Sequence, residues 1–301
     1  MSLSLRTRFW RMFLRKVFKE QRLTIAEIRA RSIKNTRFMN RVPQGVEIEK
    51  LEIEGIPAEW ISPSGTQQDK IILHLHGGGY VSGGIDSHQM MCVLMAQTLK
   101  MKVLLPEYRL APDQPFPAAL DDILKVYRWL GAKGHQPGDI ILSGDSAGGG
   151  LTLATVLTLR DAGEPLPAAV VVISPWTDLK LKGQSYITNA KAEAVLQKDV
   201  LHEWASCYIG MENPGNPLIS PIYADFHGFP PLLIQVGSEE MLLDDARILA
   251  ERAAAADVEV TLKVWEGMWH DWPVLGDLVP ESRQAFEEFA QFVKEKGRAR
   301  G

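Results

Sequence analysis

Cysteine is nearly absent from this chain, and so are long hydrophobic runs. The chain has 301 residues, and its two cysteines, Cys92 and Cys207, form no spaced motif, which excludes a disulfide framework. Charged residues interrupt every apolar stretch before it reaches the roughly 20 residues of a membrane span, and no signal-peptide pattern is visible. We therefore expect a cytoplasmic protein whose cysteines are ordinary thiols.

Internal repeats and low-complexity tracts are also missing, and the remaining pattern is typical of a folded α/β chain. Hydrophobic residues make up 46% and charged residues 23% of the sequence, which is enough apolar content for a large core. Eight apolar stretches alternate, after the first few, with helical segments, which predicts a mostly parallel eight-stranded sheet with helices on both faces. The predicted strands lie at about Val46–Glu54, Ala58–Ile61, Lys70–Leu75, Met101–Leu105, Asp139–Ser143, Ala168–Ile173, Leu232–Val236 and Val258–Trp265.

The sequence GDSAG, residues 144–148, stands where one predicted strand ends and a long helix begins. Glycines on both sides of Ser146 allow a turn so sharp that the hydroxyl stands above the sheet, and the helix N-terminus behind it favours developing negative charge. This strand–turn–helix setting is typical of a nucleophile elbow. We therefore predict that Ser146 is a nucleophile.

A second motif, HGGGY at residues 76–80, directly follows another predicted strand. Acyl transfer requires backbone N–H donors for a tetrahedral oxyanion, and no side chain shields the amides of consecutive glycines. We assign the amides of Gly78 and Gly79 to such an oxyanion hole, together with that of Ala147, just after the predicted nucleophile. The alternative is a phosphate-binding glycine loop, but the chain has no G-K-[ST] sequence.

These two motifs, together with YRLAP at 108–112 and FPA at 116–118, resemble the hormone-sensitive-lipase-like esterases of the α/β-hydrolase superfamily, the bacterial family IV esterases. The resemblance extends from roughly Leu51 to the end of the chain. It implies an α/β-hydrolase fold with a helical cap. It also implies a serine carboxylesterase that hydrolyses short- to medium-chain acyl esters.

The general base must be a histidine that follows the nucleophile and the acid along the chain, because that is the α/β-hydrolase order. The histidines beyond the predicted nucleophile are His202, His227 and His270. We predict His270, which alone follows a convincing late strand, although an ordinary surface histidine is the alternative. The family usually has His-Gly-Phe here, whereas this chain has His-Asp-Trp, which leaves the shape of the neighbouring pocket open.

The acid that orients the histidine must follow the strand at about Leu232–Val236, where four carboxylates lie close together. The resemblance implies Glu240, at the first acid of a D-x-L-x-D pattern that here reads EMLLD. Asp244, the second acid of the pattern, is the reserve candidate. It also opens a predicted helix, where carboxylates are common capping residues.

His74 and His76 form an H-x-H pair on a strand, a spacing that a zinc site could use. No third ligand with suitable context is evident, so we predict that His74 packs in the strand and that His76 orients the glycine loop. Asp145 is predicted to tie the elbow to its surroundings by hydrogen bonds. We expect no metal, no cofactor and no nucleic-acid partner, and a homo-oligomer is possible.

Two segments do not fit the sheet, and the resemblance implies that they pack together as the cap. They are residues 1–45 and 178–226, the second with a predicted helix at Ala190–Ile209, while residues 46–177 and 227–301 form the catalytic domain. Up to Arg41 the first segment has twelve Lys or Arg against two Glu. Its aromatic stripe is interpreted as the inner face of the cap, and contact with an anionic membrane is the less favoured alternative.

The expected reaction is attack of the serine on an ester carbonyl, with the histidine moving the proton and water releasing the acid. Two alternatives stay open. The same triad would serve an amide or carbamate hydrolase. A non-catalytic small-ligand binder, as in the plant gibberellin receptors of this fold, is less favoured because those receptors have lost the histidine that His270 supplies here.

Overall fold

The computed structural model describes residues 3–19, 23–30, 42–66 and 70–296. The strands are β1 (Val46–Ile53), β2 (Ile56–Pro63), β3 (Ile71–Leu75), β4 (Lys102–Pro106), β5 (Ile140–Asp145), β6 (Ala169–Ile173), β7 (Leu232–Gly237) and β8 (Val260–Trp265). The α-helices with both ends among the described residues are α1 (Leu5–Lys19), α2 (Ile85–Leu99), α3 (Ala118–Ala132), α4 (Ser146–Asp161), α5 (Ser185–Thr188), α6 (Lys198–Ile209), α7 (Leu243–Ala255) and α8 (Pro280–Lys296), and residues 25–30 are also helical.

All eight strands join one sheet in the order β1-β2-β4-β3-β5-β6-β7-β8. The first two form a hairpin because Glu54 and Gly55, both with positive φ, make the tight connection that matches the strand twist. The strands from β4 through β3 to β8 are parallel to their neighbours, and β2 is antiparallel to β4. The prediction of a mostly parallel, eight-stranded α/β-hydrolase sheet is confirmed.

The central strands are buried along their whole length, because helices cover both faces of the sheet. Every residue of β3, β5, β6 and β7 is buried, which explains their nearly continuous apolar sequences. Helices α3, α4 and α7 contribute to the hydrophobic core on one face, and α2 and α8 to the core on the other. This packing holds the carboxyl ends of the parallel strands along one edge, where connecting loops are free to carry chemistry.

The segment between β6 and β7 is less helical than the sequence indicates. The predicted helix over 190–209 begins only at Lys198, so that part of the prediction was wrong. Upstream, the buried carboxylate of Glu193 accepts a hydrogen bond from the amide of Val195 at 2.8 Å, and Gln197 is extended. Local bonding of a backbone amide by a side chain competes with a helical ladder.

Only part of the apolar stripe of helix α1 is buried. Leu14 is buried in a cluster with Trp269 and Trp272, whereas Phe9 and Phe13 are 56% and 47% exposed. Only some residues of the stripe are therefore buried, and its role as the inner face of a cap stays a prediction. Within the described ranges, no helix has the length and apolar character needed to cross a bilayer. Residues 20–22 and 31–41 of the predicted cap lie outside the described residues.

Candidate active site

Ser146 occupies the turn between β5 and α4. Its backbone φ is +51°, a left-handed conformation that a non-glycine residue rarely adopts. The flanking glycines are required by close packing: a Cβ on Gly144 would overlap the carbonyl of Gly148, and one on Gly148 would overlap the carbonyl of Leu75. The local sequence therefore forms a sharp turn that places the hydroxyl at the carboxyl end of the sheet.

His270, Ser146 and Glu240 are joined by hydrogen bonds although they are far apart in sequence. Nε2 of His270 lies 2.9 Å from Oγ of Ser146, and its Nδ1 lies 3.1 Å from Oε2 of Glu240. The carboxylate is an acceptor, so Nδ1 donates to it, and when the ring is neutral Nε2 accepts from the serine hydroxyl. All three side chains are buried. This arrangement lets the imidazole take the proton of the serine hydroxyl.

The carboxylate of Glu240 is held by groups other than the imidazole. Its Oε1 accepts hydrogen bonds from Oγ of Ser174 at 2.7 Å and from the amide of Gly237 at 2.5 Å. Asp244, the reserve candidate for the acid, instead accepts a hydrogen bond from the amide of Ser185 at 2.8 Å. The structure thus brings Glu240 to the histidine and directs Asp244 elsewhere.

The glycine loop runs beside the serine. Gly78 and Gly79 have φ values of +121° and +65°, and a Cβ on Gly79 would overlap the ring of Trp204. Over the described ranges, the amides of Gly78, Gly79 and Ala147 donate to no protein acceptor, and Ala147 lies in the first turn of α4, where amides have no intrahelical partner. Such donors suit a developing oxyanion.

A buried histidine–aspartate–histidine cluster ties the serine turn to the glycine loop. Asp145 binds Nε2 of His74 at 3.0 Å and Nε2 of His88 at 3.2 Å. Burial alone would raise the pKa of Asp145, but the two imidazoles hold it well below its usual range. The amide of Gly77 lies 3.2 Å from the same Nε2 of His88. Asp145 thus makes the predicted hydrogen bonds, whereas nothing in the sequence around His88 distinguished it.

His76 contacts the glycine loop through its ring, whose Nδ1 lies 2.9 Å from the carbonyl oxygen of Gly77. The imidazole stacks on Tyr108 at 4.0 Å between ring centroids, and the Tyr108 hydroxyl donates to the backbone carbonyl of His76 at 2.6 Å. Burial lowers the pKa of His76 to about 3, so this ring is neutral near neutral pH. Among the described residues, no group of three or more His, Cys, Asp or Glu is placed to hold a metal ion.

A cavity of about 240 Å³ opens on the serine and histidine. Helix α1 contributes Leu14 and Phe18 to its wall, and the segment between β6 and β7 contributes Trp204. The remaining lining residues are Gly78, Gly79, Ser82, Gly83, Ser87, His88, Ser146, Val195, Leu196, Trp269, His270, Asp271, Val274 and Leu275. Phe18 belongs to the aromatic stripe that the sequence analysis singled out, whereas Trp204 and Trp269 carry no motif and were not identified from the sequence.

The two predicted cap segments contact each other next to this cavity. The Lys19 ammonium donates to the carbonyls of Ala190 at 3.1 Å and Leu196 at 2.8 Å. The side-chain amide of Gln197 donates to the carbonyl of Phe18 at 2.8 Å. Residues from both segments therefore meet over the carboxyl edge of the sheet.

Comparisons with known proteins agree with this geometry. The model of the α/β-hydrolase fold family matches residues 72–274. An acetyl-hydrolase from Streptomyces hygroscopicus is 44% identical over 237 residues, which is 79% of either chain. An esterase from Acinetobacter venetianus is 37% identical over 249 residues, or 82% of either chain.

Solved structures resemble the whole chain. A crystal structure of an esterase from the bacterial hormone-sensitive lipase family has a TM-score of 0.93 and 42% identity, and the match covers 98% of this chain and 99% of that one. EstE5 soaked with p-nitrophenyl butyrate has a TM-score of 0.92 and 35% identity, with the same coverage of both chains.

Proposed function

Because the chain belongs to the hormone-sensitive-lipase-like esterases of the α/β-hydrolase superfamily and is a carboxylic ester hydrolase, we propose that it works as a serine carboxylesterase through an acyl-enzyme intermediate. The observation that carries this proposal is the hydrogen-bonded series from Ser146 through His270 to Glu240, at 2.9 and 3.1 Å. Its substrates are esters with short- to medium-chain acyl groups.

Acylation begins when His270 Nε2 takes the proton of the Ser146 hydroxyl as Oγ attacks the ester carbonyl carbon. The carbonyl oxygen becomes an oxyanion that accepts hydrogen bonds from the amides of Gly78, Gly79 and Ala147. The bond to the alcohol oxygen then breaks, and the imidazolium gives its proton to that oxygen. In the second half a water molecule loses a proton to Nε2 and attacks the acyl carbon. The imidazolium then returns that proton to Oγ of Ser146 as the bond between Oγ and the acyl carbon breaks, which releases the acid and the free serine.

Glu240 is the acid of this proposed triad, and its role is to hold the Nδ1–H tautomer and stabilise the imidazolium. The support is its hydrogen bond to Nδ1 of His270 and its complete burial, which removes competing water. Asp244 takes no part, since its carboxylate accepts from the amide of Ser185.

The acyl-chain range rests on the size and the lining of the cavity. A volume of about 240 Å³ is smaller than the roughly 300–1,000 Å³ that is usual for drug-sized ligands. The name acetyl-hydrolase of the Streptomyces hygroscopicus relative also favours a short acyl group. The segments 1–45 and 178–226 are proposed to form the cap that limits this space, supported by Leu14 and Trp204 in its wall.

The test is steady-state hydrolysis of p-nitrophenyl esters from acetate to palmitate by the wild type and by Ser146→Ala. We expect wild-type turnover to peak at short or medium chains and the variant to lose it by several orders of magnitude, since the nucleophile is gone. Thermal unfolding of both proteins checks that the variant is folded. A folded Ser146→Ala protein with near-wild-type activity would exclude the serine mechanism, and the absence of serine-dependent turnover on every ester would favour the amide hydrolase.

A further inference from the structure

Asp271 stands directly after the proposed base, at the position where the His-Gly-Phe pattern noted in the sequence analysis has glycine. Its φ is +54°, in the left-handed region that suits glycine and that aspartate tolerates better than most residues. The backbone of the loop is thus in the conformation that glycine would adopt, while the side chain adds a carboxyl group. That carboxyl group forms part of the wall of the active-site cavity.

The carboxyl group of Asp271 approaches the nitrogen that must accept the serine proton. Its Oδ2 lies 3.2 Å from Nε2 of His270, and the same Nε2 lies 2.9 Å from Oγ of Ser146. The side chain is only 15% exposed, and its Oδ1 is buried without a hydrogen-bond partner among the described residues. Nε2 therefore faces two oxygen atoms, one from the nucleophile and one from a carboxyl group.

The number of protons on Oδ2 of Asp271 and Nε2 of His270 decides whether the histidine is able to act as a base. With an extra proton, either Nε2–H donates to the Asp271 carboxylate or the carboxylic acid donates to Nε2, and in both cases the lone pair of Nε2 is occupied. Without it, Nε2 is free to accept the proton of the Ser146 hydroxyl. One cause that favours the extra proton is the repulsion between a carboxylate and a ring lone pair 3.2 Å apart.

The other charges around Asp271 favour the same extra proton. The ionisable groups that act on its carboxyl are His270 on its own loop, Glu240 after β7, Asp145 at the end of β5 and His88 on α2. The carboxylate of Asp145 raises the pKa of the Asp271 carboxyl. The buried carboxyl of Glu193, which precedes α6, acts on His270 and Glu240. Glu240 faces the opposite edge of the His270 ring at 3.1 Å, so this ring lies between two carboxyl groups.

The pKa shifts have the directions that a shared proton requires. Burial opposes charging of the His270 ring, but the carboxylates of Asp271 and Glu240 outweigh it and raise the pKa of His270 well above its ordinary value. Burial also raises the pKa of the Asp271 carboxyl, and the imidazole offsets only part of that rise. The two groups therefore titrate as a pair, with macroscopic pKa values that belong to both.

We propose that Asp271 controls the protonation of the catalytic base by competing with Ser146 for Nε2 of His270, so that hydrolysis begins only when the pair releases its shared proton. This rests on the serine mechanism proposed above. Activity would then rise with pH as the pair loses that proton. Removing the Asp271 charge lowers the pKa of His270, and the rise in activity moves to lower pH.

The experiment compares pH profiles of kcat/KM for the wild type, Asp271→Asn and Asp271→Gly, with p-nitrophenyl butyrate read at the isosbestic wavelength of the product. Asparagine keeps the size and tolerates the left-handed backbone, and glycine restores the residue usual in the family. Asp277→Asn is the matched control, since this aspartate is 65% exposed on the same loop and pairs with Arg283. We expect both Asp271 variants, but not the control, to shift the acid limb down by about one pH unit or more.

Profiles of both Asp271 variants that coincide with the wild type would overturn the proposal, while loss of turnover in Ser146→Ala would leave the proposed function standing. A second readout does not depend on turnover: NMR titration of the His270 ring in the Ser146→Ala background, with and without Asp271→Asn. We expect the ring pKa to fall by about one unit or more when the carboxylate is removed. An unchanged ring pKa would overturn the proposal even if the serine mechanism failed.

Discussion

The hydroxyl of Ser174 donates a hydrogen bond of 2.7 Å to Oε1 of Glu240, at the point where β6 ends. Ser174 has a φ of +47°, so the backbone there is held in an uncommon conformation that directs the side chain toward the neighbouring strand. Oγ of Ser174 also lies 3.3 Å from the amide of Asp271, which is placed to donate a hydrogen bond to it. One hydroxyl thus links the proposed acid to the loop that carries the proposed base.

Removing this hydroxyl is expected to weaken catalysis without changing substrate binding. For Ser174→Ala we predict a fall in kcat of about tenfold with KM nearly unchanged, because a hydrogen bond to a charged group is worth about 1.5 kcal/mol. Ser206→Ala is the control, since it removes a serine hydroxyl from the exposed side of α6. Steady-state kinetics on p-nitrophenyl butyrate measures both. An unchanged kcat in folded Ser174→Ala would show that Glu240 needs no help from this residue.

The two candidate acids are separated by a pair of alanine variants. Glu240→Ala is expected to lower kcat by roughly 10⁴-fold, as loss of the acid does in other triads. Asp244→Ala is expected to affect stability by about 1 kcal/mol through the lost bond to the Ser185 amide, with little effect on kcat. Kinetics and chemical denaturation measure the two effects. The reverse ranking in folded proteins would transfer the role of the acid to Asp244.

The role of α1 is tested by two substitutions on opposite sides of the same helix. Leu14 is part of the cavity wall, so Leu14→Ala is expected to raise the ratio of kcat/KM for pentanoate over butyrate by roughly fourfold, since these esters differ by one methylene and a buried methylene is worth about 0.8 kcal/mol. Phe9, 56% exposed, is the matched control, and Phe9→Ala is expected to leave that ratio unchanged.

Sedimentation of both variants with vesicles that contain phosphatidylserine completes this test. The cap interpretation expects chain-length selectivity to respond to Leu14 and vesicle binding to be absent. If selectivity responds to neither variant and the wild type binds vesicles through Phe9, the basic helix acts at a membrane surface instead.

The local parts of the site were predictable because their physical causes are local. The turn at Ser146 needs glycines where the backbone nearly touches Leu75 and Gly148, and the strand and helix around it have clear periodicity. His270 could be predicted from the order of the triad residues along the chain and from the strand before it. The confirmed sheet likewise follows from eight apolar stretches, each of which carries its own pattern.

The tertiary structure alone decided which distant groups meet. The sequence offered two acids four residues apart, and only the path of the chain after β7 brings Glu240 to Nδ1 of His270. It also marked Asp271 merely as a departure from the family, whereas the fold brings Oγ of Ser146, 124 residues from His270 in sequence, to the same Nε2 that the Asp271 carboxyl approaches at 3.2 Å. Backbone preferences act over a few residues, but distances between side chains 30 or more residues apart depend on how the whole sheet and its loops pack.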